Sequence, residues 1–359
     1  MEKTYGRVAP AALQDYVTDI LGAVGMTDEG ARVTATVLTL SDARGIESHG
    51  VARLPQYVRL IQSGTVAPAA APVVERESAT TALVNARNGM GQVAGDFAMR
   101  LAIAKALKAD VGMVAVHYSN HYGIAGYYAM LALEHDLIGL SLTNSSPLVA
   151  PTRGRNAMVG TNPIAMAVPT GDDRPFVLDM ATSTVPVGRI EVFKRTGRQL
   201  QPGWSIDELG RQTLDPTRAH ALLPLGGLEE TGGHKGYGLG VLVDMLTGVL
   251  SGALYGPLIS GLWNTSSESD LGHFFLAFNP AAFGPLEAFQ ARVRDLRRIL
   301  EHGERMEGAE EILIAGEKER RAEQDANEHG IRLHRTAYEP LIELGHRFGL
   351  DDLPLLGLE

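Results

Sequence analysis

Residues 81–86 read TALVNA, and four more short apolar runs follow: VGMVAV at 111–116, LIGLSLT at 137–143, IAMAVP at 164–169 and PFVLDMA at 175–181. Apolar runs of this length are typical of strands inside a sheet. They alternate with helical patterns at 92–109 and 123–135. This alternation predicts an α/β fold in which helices pack on a mixed sheet.

Helical patterns precede this region. Apolar spacing predicts one helix over 11–23, a second that Thr27 or Asp28 caps and that runs to Gly45, and a third from about Ser48 to Gly64. Residues 66–77 are rich in Ala and Pro, which suits a connector between lobes.

Charged, amphipathic helical patterns return after the sheet region, at 283–303 and 317–349. A chain of 359 residues exceeds the size at which single cores stop growing, so we expect two lobes. We predict a helical lobe from 1–77, a mixed α/β domain from 78–300, and C-terminal helices in 301–359 that rejoin the first lobe.

Composition excludes several classes of protein. The net charge of −10 argues against a nucleic-acid partner, because phosphate backbones are bound by a surplus of Lys and Arg. The absence of cysteine excludes disulfides, thiolate nucleophiles and Cys-ligated metal sites. The N-terminal sequence MEKTYGRVAPAALQDYV lacks the basic start and apolar core of a signal peptide, so we expect a cytoplasmic protein.

One segment could be read as a membrane span. Between Tyr237 and Trp263 the only charge is Asp244, and glycines recur there at a four-residue spacing. A charge inside the span, the lack of a basic flank and the lack of a second span argue against this interpretation. We expect a buried helix that crosses a sheet or a subunit interface, and no membrane partner.

A glycine pattern imitates a dinucleotide fingerprint. Gly89-Met-Gly91-Gln-Val-Ala94 follows a predicted strand and opens a helix, and Asp110 lies about twenty residues on. The acidic residue of a true fingerprint ends a second strand, whereas Asp110 directly follows a helix. We interpret the pattern as a glycine turn, with a phosphate loop as the alternative.

Two histidine segments could carry chemistry. If 47–57 is helical, His49, Arg53 and Tyr57 share one face. A His beside an Arg supplies a base for a hydroxyl proton and a fixed cation for a carboxylate, although such a face could also make ordinary hydrogen bonds. His121 lies in a predicted strand-to-helix turn, where ligand groups collect and structural histidines also occur.

Small polar loops form the remaining candidates. They expose backbone N–H groups that could hold a pyrophosphate, or they could be plain turns. They are Thr143–Ser146, Gly160–Pro163, Asp179–Ser183 and Gly232–Gly236, the last with the point charge of Lys235. We predict no metal site, because His49, His121 and His234 lack the usual ligand spacings, and the serine-hydrolase elbow G-x-S-x-G is absent.

Taken together, these segments resemble the type 2 malate/L-lactate dehydrogenase family, over nearly the whole chain. The motifs that carry the resemblance are RGIESHGVARLPQY, SNHYGIAGYYA, the run from TNSSPLVAP through GTNPIAMAVP to LDMATS, PGWSIDELG, and GGHKGYGLGVLVDMLTGVLSGA. The resemblance implies the nicotinamide-binding fold of the L-sulfolactate dehydrogenase type, which is not a Rossmann fold, in a homodimer. The helical lobe then comes from both termini, and 78–300 is the cofactor-binding domain.

The resemblance also assigns roles to residues. The catalytic positions are His49, Arg53 and His121. The positions for NAD or NADP are Asn144, Ser145, Thr161, Asn162, Pro163, Asp179, Met180, Ala181, Thr182, Ser183, His234, Lys235, Gly236, Gly316 and Glu317. In the last turn, Ala315 stands where the family's motif has proline, which leaves the geometry at Glu317 open.

The implied reaction is hydride transfer between a nicotinamide cofactor and a small 2-hydroxy acid or 2-keto acid, with malate or lactate expected. Ureidoglycolate, sulfolactate and cyclic imino acids are alternatives within the family. A non-catalytic dinucleotide-binding protein and a metal-dependent hydrolase are alternatives outside it. Either His49 or His121 could move the proton, and we favour His49, whose unperturbed imidazole would titrate near 6.5. Malate would need a second cation, for which Arg189, Lys194 and Arg195 are candidates.

Overall fold

The computed structural model describes residues 4–359. Its helices are α1 (Pro10–Ala23), α2 (Asp28–Ala43), α3 (Leu54–Gln62), α4 (Gly91–Ala109), α5 (Ala125–Leu131), α6 (Val187–Thr196), α7 (Gly233–Asp244), α8 (Leu286–Glu301), α9 (Glu317–His329) and α10 (Arg335–Arg347). Its strands are β1 (Tyr5–Val8), β2 (Val73–Glu77), β3 (Thr81–Asn85), β4 (Val111–Ser119), β5 (Ile138–Thr143), β6 (Ile164–Val168), β7 (Phe176–Met180), β8 (Ser205–Ile206), β9 (Ala221–Leu222), β10 (Leu271–Phe278), β11 (Ile331–His334) and β12 (Leu355–Leu358).

The predicted mixed sheet is confirmed. The order of its strands within residues 4–359 is β2-β3-β4-β10-β5-β6-β7. β3 and β4 are parallel, and the other neighbouring pairs are antiparallel. The five apolar runs of the sequence correspond to β3 through β7, and α4 and α5 pack on this sheet. These helices and the buried side chains of the strands form one core, around Met99, Val114, Tyr128 and Phe275.

Strand β10 was not predicted, although it lies at the centre of the sheet. It pairs with β4 on one side and β5 on the other, and most of its side chains are buried. A strand covered on both faces lacks the alternation of apolar and polar residues that identifies a half-exposed strand. Its partners also precede it by more than a hundred residues, so no local pattern reveals the pairing.

The two ends of the chain meet in a second, smaller sheet. β1 lies between β11 and β12 and pairs antiparallel with both. A second core joins side chains from the N-terminal helices, such as Leu13, Leu38 and Leu54, to Ile331 and Leu341 from the C-terminal segment. This packing is what the predicted rejoining of the C-terminal helices would produce, while the domain boundaries themselves stay a prediction.

The predicted helix from Ser48 to Gly64 is wrong in its first half. Glu47–His49 and Val51–Arg53 are separate 3-10 turns, and α3 begins only at Leu54, with Pro55 in its first turn. Gly50 separates the turns with an extended backbone, at φ −84° and ψ −157°. His49, Arg53 and Tyr57 therefore do not lie on one continuous helix.

The glycine pattern at Gly89–Ala94 forms a turn into α4. A Cβ atom on Gly91 would lie 2.1 Å from the carbonyl oxygen of Asn120. The start of α4 is thus packed against the backbone of Asn120 and His121. Glycine is required at this position by close packing.

The apolar segment after Gly233 is a helix that ends early. α7 stops at Asp244 and continues as one π-helical turn over Met245–Val249. In the described part of the chain, no helix is both long and apolar enough to cross a membrane.

Candidate functional site

The turn that carries His49 and Arg53 is held by the end of α2. Oδ2 of the buried Asp42 accepts a hydrogen bond from the backbone N–H of Val51, at 2.7 Å. Burial raises the pKa of Asp42 to about 8, and the Val51 N–H opposes this rise. A Cβ atom on Gly50 would lie only 1.9 Å from Oδ1 of Asp42, so only glycine fits there.

His49 and His121 come together from distant parts of the sequence. Their rings stack with centroids 5.5 Å apart and planes inclined by 17°. Nδ1 of His49 lies 2.8 Å from the hydroxyl of Ser48. Nδ1 of His121 lies 2.7 Å from the hydroxyl of Tyr57 and accepts the backbone N–H of Gly123 at 3.3 Å.

These contacts fix the neutral form of His121. A backbone N–H can only donate, so Nδ1 of His121 is the acceptor and the proton of the neutral ring is on Nε2. The hydroxyl of Ser48 can donate or accept, so either nitrogen of His49 can carry its proton.

Both imidazoles are neutral at physiological pH. Burial lowers the pKa of His49 to about 4, and the positive charge of Arg53 adds to the effect. Burial also lowers the pKa of His121 well below its ordinary value, as do His49 and Arg53. Neutral His49 can therefore accept a proton from a bound hydroxyl group, and the Nε2–H of neutral His121 can donate a hydrogen bond to it.

Arg53 provides an unpaired cation beside these rings. Its Nε donates to the backbone oxygen of Ser48 at 2.6 Å, and its guanidinium lies over the indole of Trp263, 5.8 Å from the ring centroid. Within residues 4–359 it makes no ion pair with a carboxylate. The rest of the guanidinium can therefore form the bidentate contact that a carboxylate prefers.

A cavity opens beside His121. Its lining combines apolar side chains with small polar groups: Tyr57, Leu60, Val66, Met90, Asn120, His121, Ser145, Ser146, Ser260, Leu262, Ser269 and Leu271. Of the predicted cofactor positions, Ser145 is the one that reaches this lining. Apolar walls with a few converging polar groups are typical of sites for small molecules.

The predicted cofactor loops contact one another next to this cavity. The backbone N–H of Thr161 donates to the hydroxyl of Ser145, and Asn162 Oδ1 accepts the N–H of Ser145. The Thr182 hydroxyl donates to the backbone oxygens of Thr161 and Asn162. The side-chain amide of Asn144 is bonded at both ends, since Nδ2 donates to the backbone oxygen of Leu254 and Oδ1 accepts the N–H of Gly272.

A second cavity lies beyond these loops, at the end of β7. Asp179 lines it, together with Arg44, Gly126, Gly316 and Glu319. Oδ2 of Asp179 accepts the N–H of Gly126 at 2.7 Å. Burial raises the pKa of Asp179 to about 6, which Gly126 and Arg44 oppose.

The other predicted cofactor positions are more scattered. Met180 pairs with Ile164 at the end of β7, and Pro163 and Ala181 flank this pair. Ser183 bonds the backbone of Val185. The last group occupies the first turn of α7, where His234 and Lys235 are exposed and Gly236 is buried.

The turn at Gly316 and Glu317 closes one side of the second cavity. Gly316 has φ +90°, and a Cβ atom there would lie 2.9 Å from the oxygen of Val177. The carboxylate of Glu317 faces three arginines, which hold its pKa at about 2: Arg174, Arg320 and Arg321. In this arrangement the Glu317 side chain anchors the turn, and residues 314–316 line the cavity.

Sequence reasoning missed four residues of the site. Asp42 and Gly50 were not given a role. Gly50 is the last residue of the RGIESHG segment, and Asp42 lies two residues before that segment, at the end of α2. Gln92 is fully buried at the start of α4, and both polar atoms of its side chain lack a hydrogen-bond partner. Its side chain lies close enough to the Tyr57 hydroxyl to oppose the rise in the pKa of Tyr57 that burial causes, without meeting hydrogen-bond geometry. Trp263 lies in a loop that no local pattern connects to Arg53.

The structure also bears on a metal site and on the predicted second cations. Among residues 4–359 there is no group of three or more side chains that could hold a metal ion. Arg189, Lys194 and Arg195 lie on α6, whose buried face packs in a separate cluster around Phe193, and none of them lines either cavity.

Comparison with known proteins gives a consistent assignment. Residues 8–342 match the family described as malate/L-lactate dehydrogenase. The chain is 42% identical to malate dehydrogenase of Pyrococcus abyssi over 98% of both proteins. It is 37% identical to L-sulfolactate dehydrogenase of Methanocaldococcus jannaschii over 95% of this chain and 97% of that protein. It is 30% identical to ureidoglycolate dehydrogenase (NAD(+)) of Escherichia coli O157:H7 over 94% of this chain and 95% of that protein.

Solved structures give the same result. The structure of malate dehydrogenase from Pyrococcus horikoshii is 40% identical and superposes with a TM-score of 0.90 over 97% of both chains. Sulfolactate dehydrogenase from Methanocaldococcus jannaschii is 36% identical, with a TM-score of 0.89 over 97% of this chain and 98% of that one. The α/β fold with a mixed sheet is therefore that of these enzymes. The protein is an oxidoreductase and belongs to the malate/L-lactate dehydrogenase family.

Proposed function

We propose that the protein transfers a hydride between a nicotinamide dinucleotide and C2 of a small 2-hydroxy acid, malate or lactate. The observation that carries this proposal is the stacked, neutral pair of His49 and His121 beside the unpaired Arg53. Oxidation of a 2-hydroxy acid needs a proton acceptor at the hydroxyl group and a cation at the carboxylate.

The residues divide the work as follows. Arg53 holds the substrate carboxylate, which places the neighbouring hydroxyl at the imidazoles. His49 accepts the hydroxyl proton, and the Nε2–H of His121 donates a hydrogen bond to the same oxygen. Tyr57 keeps His121 in this tautomer through the bond to Nδ1. A nicotinamide dinucleotide held by the loops around Ser145, Thr161 and Thr182 would supply the hydride acceptor in oxidation and the hydride donor in reduction.

The loops fit an extended dinucleotide, either NAD or NADP. The first cavity contains His121 and Ser145, the second contains Asp179 and Gly316, and the hydrogen-bonded loops at Thr161 and Thr182 lie between Ser145 and Asp179. Since hydride transfer must take place at the histidines, the nicotinamide end belongs to the first cavity. The second cavity then receives the opposite, adenosine end of the dinucleotide. In Gly126 and Gly316 it has positions where a side chain would be crowded.

The same enzyme would act as a homodimer. On α7 and the π turn, Leu242, Met245 and Val249 are 48–56% exposed, and their spacing places them on one face. Leu250 and Leu258 are each 58% exposed on the segment that follows. Soluble chains rarely expose neighbouring large apolar side chains without a partner surface. A second copy of this chain is the occupant we propose, and Val249→Glu should lower the mass measured by light scattering to that of a monomer.

The reaction is tested by absorbance of the reduced nicotinamide. Purified protein is mixed with NAD⁺ or NADP⁺ and with malate, lactate, sulfolactate or ureidoglycolate, and the reverse reaction is run with the 2-keto acids and a cyclic imino acid. We expect oxidation of malate or lactate. Dinucleotide binding without turnover of any of these compounds would contradict the proposal.

A further inference from the structure

Two arginines contact the same tryptophan, which directly follows a residue of the first cavity's lining. The guanidinium carbons of Arg53 and Arg59 each lie 5.8 Å from the ring centroid of Trp263. Trp263 follows Leu262, which lines the cavity, and the backbone oxygen of Leu262 accepts a hydrogen bond from the buried Gln56 at 2.8 Å. Helix α3 therefore carries both Arg59 and the residue, Gln56, that holds the loop of Leu262 and Trp263.

Neither arginine is neutralised. Within residues 4–359, Arg53 and Arg59 make no ion pair with a carboxylate, although acidic residues outnumber basic ones in this chain by ten. Other arginines are paired with carboxylates, for example Arg44 with Glu323 and Arg174 with Glu301. Two unpaired cations that share one indole suit a ligand with two negative groups.

We propose that Arg59 binds the second acidic group of a dianionic 2-hydroxy acid while Arg53 holds the C1 carboxylate. This inference rests on the proposed function and adds the residue that selects the substrate. The second group can be a carboxylate, as in malate, or a sulfonate, as in sulfolactate. Arg59 is a specificity residue and takes no part in the proton transfer.

The spacing allows this arrangement. Because both guanidinium carbons lie at the same distance from one centroid, they are at most twice that distance apart. Three C–C bonds of about 1.5 Å separate the two carboxyl carbons of malate, and a hydrogen-bonded guanidinium can be added at each end. An extended four-carbon diacid can therefore reach both arginines. Lactate ends in a methyl group at C3, where malate carries its second carboxylate, so lactate has no acidic group for Arg59.

This replaces the cations predicted on α6. Arg189, Lys194 and Arg195 lie on α6, which packs in a separate apolar cluster around Phe193. Arg59 lies two residues after Tyr57 on α3 and contacts the same Trp263 ring as Arg53. The indole also holds the exposed guanidinium in place through a cation–π contact.

The test compares selectivity between acids. Values of kcat/KM for oxidation of malate, sulfolactate and lactate are measured for the wild type, Arg59→Gln, Arg59→Lys and Arg32→Gln. Arg32 is an exposed arginine on α2 and controls for loss of one positive charge. We expect Arg59→Gln to lower the malate-to-lactate ratio by roughly 10-fold or more, chiefly through KM, since one charged hydrogen bond is lost.

The remaining arms decide between the outcomes. Arg59→Lys should recover part of the ratio, Arg32→Gln should not change it, and added salt should reduce it in the wild type. A larger loss for sulfolactate than for malate would identify the sulfonate as the preferred second group. An equal loss for malate and lactate, or no loss, would overturn the role of Arg59. Oxidation of none of the acids by the wild type would instead refute the proposed function.

Discussion

The carboxylate of Asp42 occupies the space where a side chain on residue 50 would begin. The ideal Cβ position of Gly50 lies 1.9 Å from Oδ1 of Asp42, while Oδ2 binds the N–H of Val51. This contact joins the end of α2 to the turn that carries His49 and Arg53. The geometry of the two functional side chains therefore depends on a residue that touches no substrate.

Gly50→Ala should displace this turn. The added methyl group forces Asp42 or the backbone to move, at a cost of about 1–3 kcal/mol in the free energy of unfolding. We expect a lower Tm and a loss of kcat/KM that exceeds the loss of dinucleotide affinity. Gly22→Ala is the control, because no atom lies within 4 Å of its Cβ position and it stands inside α1. Wild-type activity in a folded Gly50→Ala protein would show that the turn need not be held in this way.

Arg53→Met should separate substrate use from cofactor binding. The substitution removes a bidentate partner of the C1 carboxylate, so kcat/KM should fall by orders of magnitude. Dinucleotide affinity, measured by fluorescence titration, should change little. A near-normal kcat/KM in this variant would mean that another cation holds the carboxylate.

His273 should make the protein sensitive to acid. This buried residue of β10 lies between the hydroxyls of Ser119 and Thr143, and burial lowers its pKa to about 3. The unfolded chain, with a His pKa near 6.5, binds a proton that the folded state does not accept. Stability is therefore complete above about pH 6.5 and decreases as the pH falls toward 3.

The magnitude can be checked with urea. Between pH 7 and pH 5 this residue should cost about 2 kcal/mol of unfolding free energy. The variant His273→Gln keeps hydrogen-bonding atoms but does not titrate. Its unfolding free energy should therefore fall by about 2 kcal/mol less between pH 7 and pH 5 than that of the wild type. An identical loss in both proteins would assign the acid sensitivity to other groups, such as His49 and His121.

Sequence patterns predicted the parts of this enzyme that are local. Five strands were visible as apolar runs, and His49, Arg53 and His121 stood out through their residue types and motifs. The contacts that the sequence did not reveal join residues that are far apart along the chain. The His49–His121 stack joins two turns, and Trp263 reaches Arg53 from a distant loop.

The errors have physical causes. The helical face proposed for His49, Arg53 and Tyr57 was wrong because Gly50 interrupts the helix and Pro55 starts a new one. Tyr57 nevertheless reaches the site, through His121. The ordinary imidazole pKa used for His49 was also too high, because burial lowers it to about 4. The burial of His49 depends on the whole fold, so the sequence around His49 does not reveal it.

The central claim is that His49 transfers the proton. The most direct test is the pH dependence of kcat/KM for hydroxy-acid oxidation in the wild type, His49→Asn and His121→Asn. Because the free-enzyme pKa of His49 is about 4, the wild type should show a plateau from about pH 6 to 8 and a decline only at more acidic pH. His49→Asn should lose roughly 10²–10⁴-fold in rate and also lose the acidic limb, with dinucleotide binding intact. His121→Asn should lose less and keep the limb. If His49→Asn kept both its rate and the limb while His121→Asn lost them, the two roles would have to be exchanged.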